Sequence, residues 1–247
     1  MPKRIYSCAQ RPFIVPLHQI SEIMAYHQAK TENRVFKNPI LEKLTHTHIA
    51  YPLTIFYGLG VVLLAYTIYF GILGPGASIL LFFAGFLSFT LVEYLIHRYT
   101  FHMEADSPKK ERLQYVLHGA HHDFPKDKTR LAMPPLVSIV LAATFFLVYR
   151  LLLGEYGIPF TGGFVAGYAS YLCVHYSVHA FPPPKNFLKV LWIHHALHHY
   201  QQSDAAYGVS SPFWDLIFRT MPEKRGFSVK TKSGFIDDRH DKLETSK

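Results

Sequence analysis

Charge and cysteine are both scarce in this chain: 17% of its 247 residues are Asp, Glu, Lys or Arg, and only two are Cys. Cys8 lies in a basic N-terminal stretch and Cys173 in an apolar run, so neither a disulfide framework nor a cysteine-built zinc site is expected. The HExxH pattern of many zinc hydrolases is missing. Solenoid repeats and low-complexity tracts are missing too. Such a low charge density is unusual for a soluble domain, and 49% hydrophobic residues shift the question to membranes.

Four apolar stretches dominate. Ile49 to Leu73 has no charged residue and is long enough to cross about 30 Å of hydrocarbon. Gly76 to Ile96 is interrupted only by Glu93, Pro135 to Leu153 only by Arg150 near its end, and Phe160 to Val174 is shorter. Gly74-Pro75 reads as a tight turn between the first two, and Pro159 with its flanking glycines as the turn between the second two. Two helical hairpins follow. The first span begins behind seven basic residues, so no cleaved signal peptide is expected.

The net charge of +8 has a location. Seven Lys or Arg precede the first span, seven lie between Ile96 and the third, and ten follow the fourth, whereas the opposite turns hold only Arg150 at their margin. By the positive-inside tendency both termini and the middle loop face the cytoplasm. The basic balance then reads as topology and anionic lipid contact, with no nucleic acid as partner. The chain divides into a cytoplasmic segment, 1–48, a membrane domain, 49–222, and a cytoplasmic tail, 223–247.

Histidine is the abundant functional residue, with 16 copies. Ten form four groups near the cytoplasmic ends of the spans: His97 and His102; His118, His121 and His122; His175 and His179; His195, His198 and His199. Positions i, i+3 and i+4 share a helix face, so each trio is expected to present its rings to one point. His97 and His102, five apart, need a helix end between them or two different metals. Neutral imidazole binds iron, zinc and copper, and ten donors exceed what one ion uses, so two metals are implied. His18, His27, His46, His48 and His240 read as solvated or core residues, and His194 stays ambiguous. Glu93, one turn before His97, is expected to accept a ring N–H from a ligating histidine. Asp123 and Asp204 could do the same, cap a helix or remain solvated. A histidine-only site at a membrane lip favours O₂ chemistry on a lipid over hydrolysis.

The segments EYLIHRYTFHM (Glu93 to Met103), LHGAHHDFPKDKTRLAMPP (Leu117 to Pro135), HYSVH (His175 to His179) and IHHALHHYQQSDAAYGVSSPFWDLIFRT (Ile193 to Thr220) resemble the fatty acid hydroxylase superfamily, and within it the fatty acid 2-hydroxylases. The resemblance implies an all-α integral membrane enzyme of four spanning helices with a cytoplasmic helical cap holding a di-iron site, zinc being able to occupy that site in purified protein. It implies O₂-dependent hydroxylation of the carbon next to the carbonyl of a fatty acyl or sphingolipid-type chain. The family's ligands fall on His97, His102, His118, His121, His122, His175, His179, His195, His198 and His199, which selects His195 over His194. Asp127 and Arg130 are expected to pair and brace the loop behind the second group.

Two departures stand out. No His-Pro-Gly-Gly haem loop of a fused cytochrome b5 domain occurs in the first 48 residues, so a separate electron donor, cytochrome b5-like or ferredoxin-like, is expected. Where a Tyr-Asp-x-x-His segment is expected, the chain reads Tyr171-Leu172-Cys173-Val174-His175. A related oxidation of carotenoid or sterol, and more remotely metal binding or transport, remain alternative readings.

Overall fold

The computed structural model describes residues 34–223, all of whose regular structure is helical. His18, His27, His240, Cys8 and most of the C-terminal tail lie outside these residues. The α-helices are α1 (Pro39–Leu44), α2 (Ala50–Tyr69), α3 (Pro75–Ile96), α4 (Pro108–Gln114), α5 (Ala120–Asp123), α6 (Pro135–Leu153), α7 (Gly157–Ala180), α8 (Lys189–Tyr200) and α9 (Phe213–Ile217). Proline opens α1, α3, α4 and α6, where its missing N–H would have no intrahelical partner anyway.

Three helical stretches are long and apolar enough to cross a membrane: Ala50–Tyr69, Pro75–Phe101 and Pro135–Ala180. The chain is a multi-pass membrane protein. The third stretch, 46 residues long, would be about twice the hydrocarbon thickness if straight. It is divided at Gly154, whose φ of 60° suits a residue without a side chain. α6 and α7 then run side by side, with the Tyr149 and Phe160 rings 4.8 Å apart and those of Phe145 and Phe164 4.7 Å apart. The turn expected at Pro159 therefore falls earlier, at Gly154–Tyr156. Pro159 instead sits in the first turn of α7, where proline is tolerated. α7 also outlasts the expected span and carries His175 and His179 on its own last turns.

α7 is the central post, packed against α2, α3 and α6. Its inward face is rich in small residues, Gly162, Gly163, Ala166, Gly167 and Ala169, all buried. Without a hydrophobic driving force between helices in lipid, close backbone approach is what holds them. A Cβ built on Gly163 would stand 1.7 Å from the Phe82 carbonyl oxygen, and one on Gly85 1.9 Å from that of Phe160. Outward, α2 and α6 expose Val61, Val62, Leu147, Leu151 and Leu152, as lipid-facing helices do.

The contact is testable by size. Gly163→Leu should abolish the folded monomer in detergent, because the obstacle is backbone, whereas Gly58→Ala, with nothing within 4 Å, should leave the melting temperature unchanged or slightly raised. A monodisperse Gly163→Leu protein with wild-type melting would contradict the proposed contact.

Candidate metal centre

Ten histidines converge at one end of the bundle as two groups of five. One contains His97, His102, His118, His122 and His198, the other His121, His175, His179, His195 and His199, and within each group the ligand atoms lie within 4.8 Å of one another. Each trio is split between the groups. Residues i, i+3 and i+4 span about 100° of helix azimuth, so His118 with His122 turns one way and His121 the other. His198 likewise parts from His195 and His199. The expectation that each trio meets at one point is corrected: the segments around α5 and on α8 each serve both groups, and the rings of His122 and His199 stack 4.2 Å apart at the boundary.

Two π-helical turns make this possible. The first, His97–Phe101, extends α3, and the His102 N–H donates to the His97 carbonyl at 3.1 Å. An i→i+5 bond stacks residues five apart, so His97 and His102 join one group without a second metal between them. The second, Tyr115–Gly119, links α4 to α5 and carries His118. The sequence pattern held no signal for either turn beyond the awkward spacing itself.

The ring nitrogens approach in pairs. His97 Nε2 and His118 Nε2 are 3.0 Å apart, as are His198 and His102, and His175 and His121; His195 and His179 are at 2.7 Å. Two neutral nitrogens so close need one shared proton or one shared cation, and metal–nitrogen bonds of about 2.0–2.1 Å place neighbouring ligands roughly 3 Å apart. Nε2 of His122 and both ring nitrogens of His199 are buried with no hydrogen-bond partner. Each such atom costs about 1–3 kcal/mol. The donor set fits two metal ions.

Electrostatics agree. Burial, then the neighbouring imidazoles, holds His118, His121, His195, His198 and His199 well below the ordinary imidazole range. Burial brings His102 to about 4, and burial with neighbouring rings brings His122 to about 3. All are neutral at pH 7 and keep a lone pair for a metal. Backbone carbonyls set the tautomers: His97 Nδ1 lies 2.5 Å from Tyr207 O, His198 Nδ1 2.7 Å from Ala205 O, and His175 Nδ1 3.3 Å from Leu131 O.

The carboxylates behave differently from expectation. Glu93 is buried but does not meet His97; it accepts from Val209 N–H at 2.8 Å, Ser210 N–H at 2.9 Å and the Ser210 hydroxyl at 2.5 Å. The Tyr207 carbonyl already occupies the His97 ring nitrogen. Asp204 is exposed and hydrogen-bonds to no histidine among the described residues. One carboxylate that does is Asp215, wholly buried, whose Oδ2 lies 3.0 Å from His194 Nε2. His194 thus belongs to neither metal group. A lone acid inside the apolar run FWDLIF was the available signal for Asp215. At the Tyr171–His175 departure, Leu172 is buried and the Leu131 carbonyl serves His175 instead of a carboxylate.

Arg130 does pair with Asp127, at 3.2 Å, and its reach is longer than expected. It also bonds Glu42, Thr45 Oγ1 at 2.8 Å and His46 Nε2 at 3.0 Å. Thr47 N–H donates to the Thr129 carbonyl at 2.7 Å. The segment ahead of α2 is thereby fastened to the loop that carries Leu131. Beside the second group lies a small hollow with room for about one water, lined by Val178, Trp192, Ala196 and Tyr200 with His179, His195 and His199.

Fold and site together define a multi-pass helical membrane protein with two buried histidine centres able to bind metal. The fatty acid hydroxylase family model matches residues 82–220, and the chain belongs to that family. It is 41% identical over 150 residues to the fatty acid 2-hydroxylase of Rattus norvegicus, covering 58% of this chain and 40% of the relative. It is 37% identical over 147 residues to the ceramide very long chain fatty acid hydroxylase scs7 of Schizosaccharomyces pombe, covering 58% and 42%. With the dihydroceramide fatty acyl 2-hydroxylase FAH2 of Arabidopsis thaliana it shares 34% over 148 residues, covering 60% and 62%. The chain thus spans less than two thirds of these relatives. The solved structure of full-length scs7p, with only its hydroxylase domain visible, superposes with a TM-score of 0.70 at 31% identity, covering 76% of this chain and 71% of that one.

The Arg130 cluster predicts a pH signature. Burial alone would raise Glu42, but the Phe36 N–H and Arg130 outweigh it and hold the carboxyl below its usual range. A depressed pKa gives stability present above the unfolded value near 4.5 and lost as pH falls through the folded value. Glu42→Gln should therefore lower the melting temperature at pH 7 by about 2–4 °C for about 1 kcal/mol, with the gap narrowing progressively as pH falls below 4.5. A gap that persists unchanged at pH 3.5 would rule out the ion pair as its cause.

Proposed function

We propose that this protein is a di-iron fatty acyl 2-hydroxylase, using O₂ to place a hydroxyl on the carbon next to the carbonyl of a fatty acid or an N-acyl, sphingolipid-type chain. The observation that carries the reading is two five-histidine centres, without a carboxylate ligand, at the end of a membrane bundle. Its relatives' names, fatty acid 2-hydroxylase and dihydroceramide fatty acyl 2-hydroxylase, support the substrate class.

His97, His102, His118, His122 and His198 would hold one iron, and His121, His175, His179, His195 and His199 the other. Bound there, the iron pair would supply O₂ activation and C–H cleavage. The chain's own contribution is placement and exclusion of water. Its imidazoles stay neutral, backbone carbonyls hold protons on the outer ring nitrogens, and Val178, Trp192, Ala196 and Tyr200 border the second centre. Chemistry on an acyl C–H needs one carbon aimed at the metals.

In this reading α2, α3, α6 and α7 make four crossings, within a hydroxylase domain over 49–222. The excess of Lys and Arg at the histidine end supports cytoplasmic placement of the termini and of the site. Taking O₂ to a hydroxyl oxygen and one water is a four-electron reduction: the C–H bond that is cleaved supplies two electrons, and a separate cytochrome b5-like or ferredoxin-like donor is proposed for the other two, with two protons going to the water.

Cells carrying the gene should accumulate acyl chains hydroxylated next to the carbonyl, read by mass spectrometry of hydrolysed lipids. His198→Ala should bring that product to background and lower bound iron, while His240→Ala, outside the four groups, should do neither. Oxidised isoprenoids or sterols with unchanged acyl chains would replace this substrate class with a sister one; an active His198→Ala protein would remove His198 from the ligands.

A further inference from the structure

The irregular loop between α8 and α9 supplies both carbonyls that orient the first centre, Ala205 to His198 and Tyr207 to His97. A peptide group is planar and trans, so its C=O points away from its own N–H, and gripping the N–H aims the carbonyl. The N–H in the plane of the Tyr207 carbonyl belongs to Gly208, and it donates to Asp215 Oδ2 at 2.8 Å. The N–H in the plane of the Ala205 carbonyl belongs to Ala206, and it donates to the Thr220 carbonyl at 2.9 Å.

Asp215 and Thr220 are themselves one unit. The Thr220 hydroxyl donates to Asp215 Oδ1 at 2.7 Å, the Thr220 N–H donates to the Asp215 carbonyl at 2.8 Å, and Tyr207 N–H donates to Oδ1 at 2.9 Å. Gly208 leaves room for this grip, since a Cβ there would stand 2.2 Å from the Ser211 carbonyl and 2.8 Å from Asp215 Oδ2. Oδ2 of Asp215 also lies 3.0 Å from His194 Nε2, but His194 belongs to neither centre. Among the described residues the second centre shows no equivalent grip on its peptide planes. His175 meets Leu131 O at 3.3 Å, and Nδ1 of His121 and of His195 are buried without a hydrogen-bond partner.

We propose that Asp215, together with Thr220, is a positioning residue for the first centre alone: by holding two peptide planes it keeps the protons of His97 and His198 on Nδ1 and leaves Nε2 facing the metal. The two centres are consequently unequal in how firmly their ligands are arranged. This rests on the di-metal reading above.

The test is titration of metal-stripped full-length protein in detergent with Co²⁺, followed by its visible spectrum. Wild type should take up two equivalents. Asp215→Asn puts an amide where N–H donors need an acceptor, and should weaken one equivalent by about 10- to 100-fold, the usual cost of removing such support. In a His121→Ala background, where the second centre is disabled, that loss should appear in the remaining equivalent; in a His97→Ala background it should not. Thr220→Val, which keeps size and backbone, should weaken the same equivalent to a smaller degree and decides the matter if Asp215→Asn does not fold. Equal weakening of both equivalents, or no weakening in either variant, would overturn the positioning role while leaving the di-metal reading intact. Fewer than two equivalents in wild type would overturn that reading and this proposal with it.

Discussion

Crowding ten imidazoles together, seven buried and three half-buried, is the constraint on which the rest of the structure turns. Removed from water, each ring is held to its neutral form, and a neutral ring offers one donor and one acceptor nitrogen. Four pairs of Nε2 atoms at 2.7–3.0 Å cannot each carry a proton, so the protons are driven to the outer nitrogens or replaced by cations. The surrounding backbone is arranged accordingly, with carbonyls of Leu131, Ala205 and Tyr207 turned inward to take the outer N–H groups.

Such an arrangement tolerates little movement, and the bundle beneath it is built for rigidity. Glycine contacts at Gly85 and Gly163 let α3 and α7 touch backbone to backbone. α3 ends in the π turn bearing His97, and α7 ends in His175 and His179. Close packing in the apolar layer thereby becomes fixed ligand position at its rim. Over the rim, Arg130 fastens residues ahead of α2 to the loop carrying Leu131, while Glu93 and Asp215 hold the loop carrying Ala205 and Tyr207. Glu93 and Asp215 serve here to shape backbone, and the two groups able to bind metal are built of histidine alone.

Composition, run length and histidine spacing determined a good deal on their own. Apolar runs free of charge have few options other than to cross a bilayer, because isolated charges and unpaired backbone groups are excluded there. Ten clustered imidazoles announce metal, since packing alone gives neutral rings little reason to gather. Only the tertiary structure decided how the ten divide. Helical periodicity states which residues share a face but not where that face points once a π turn intervenes, and the split of each trio across two centres depends on the angles at which four segments meet. The partners of Glu93, Asp215 and His194 were hidden for a related reason: they are backbone groups or residues up to 117 positions away, and such contacts come into being only when the helices pack.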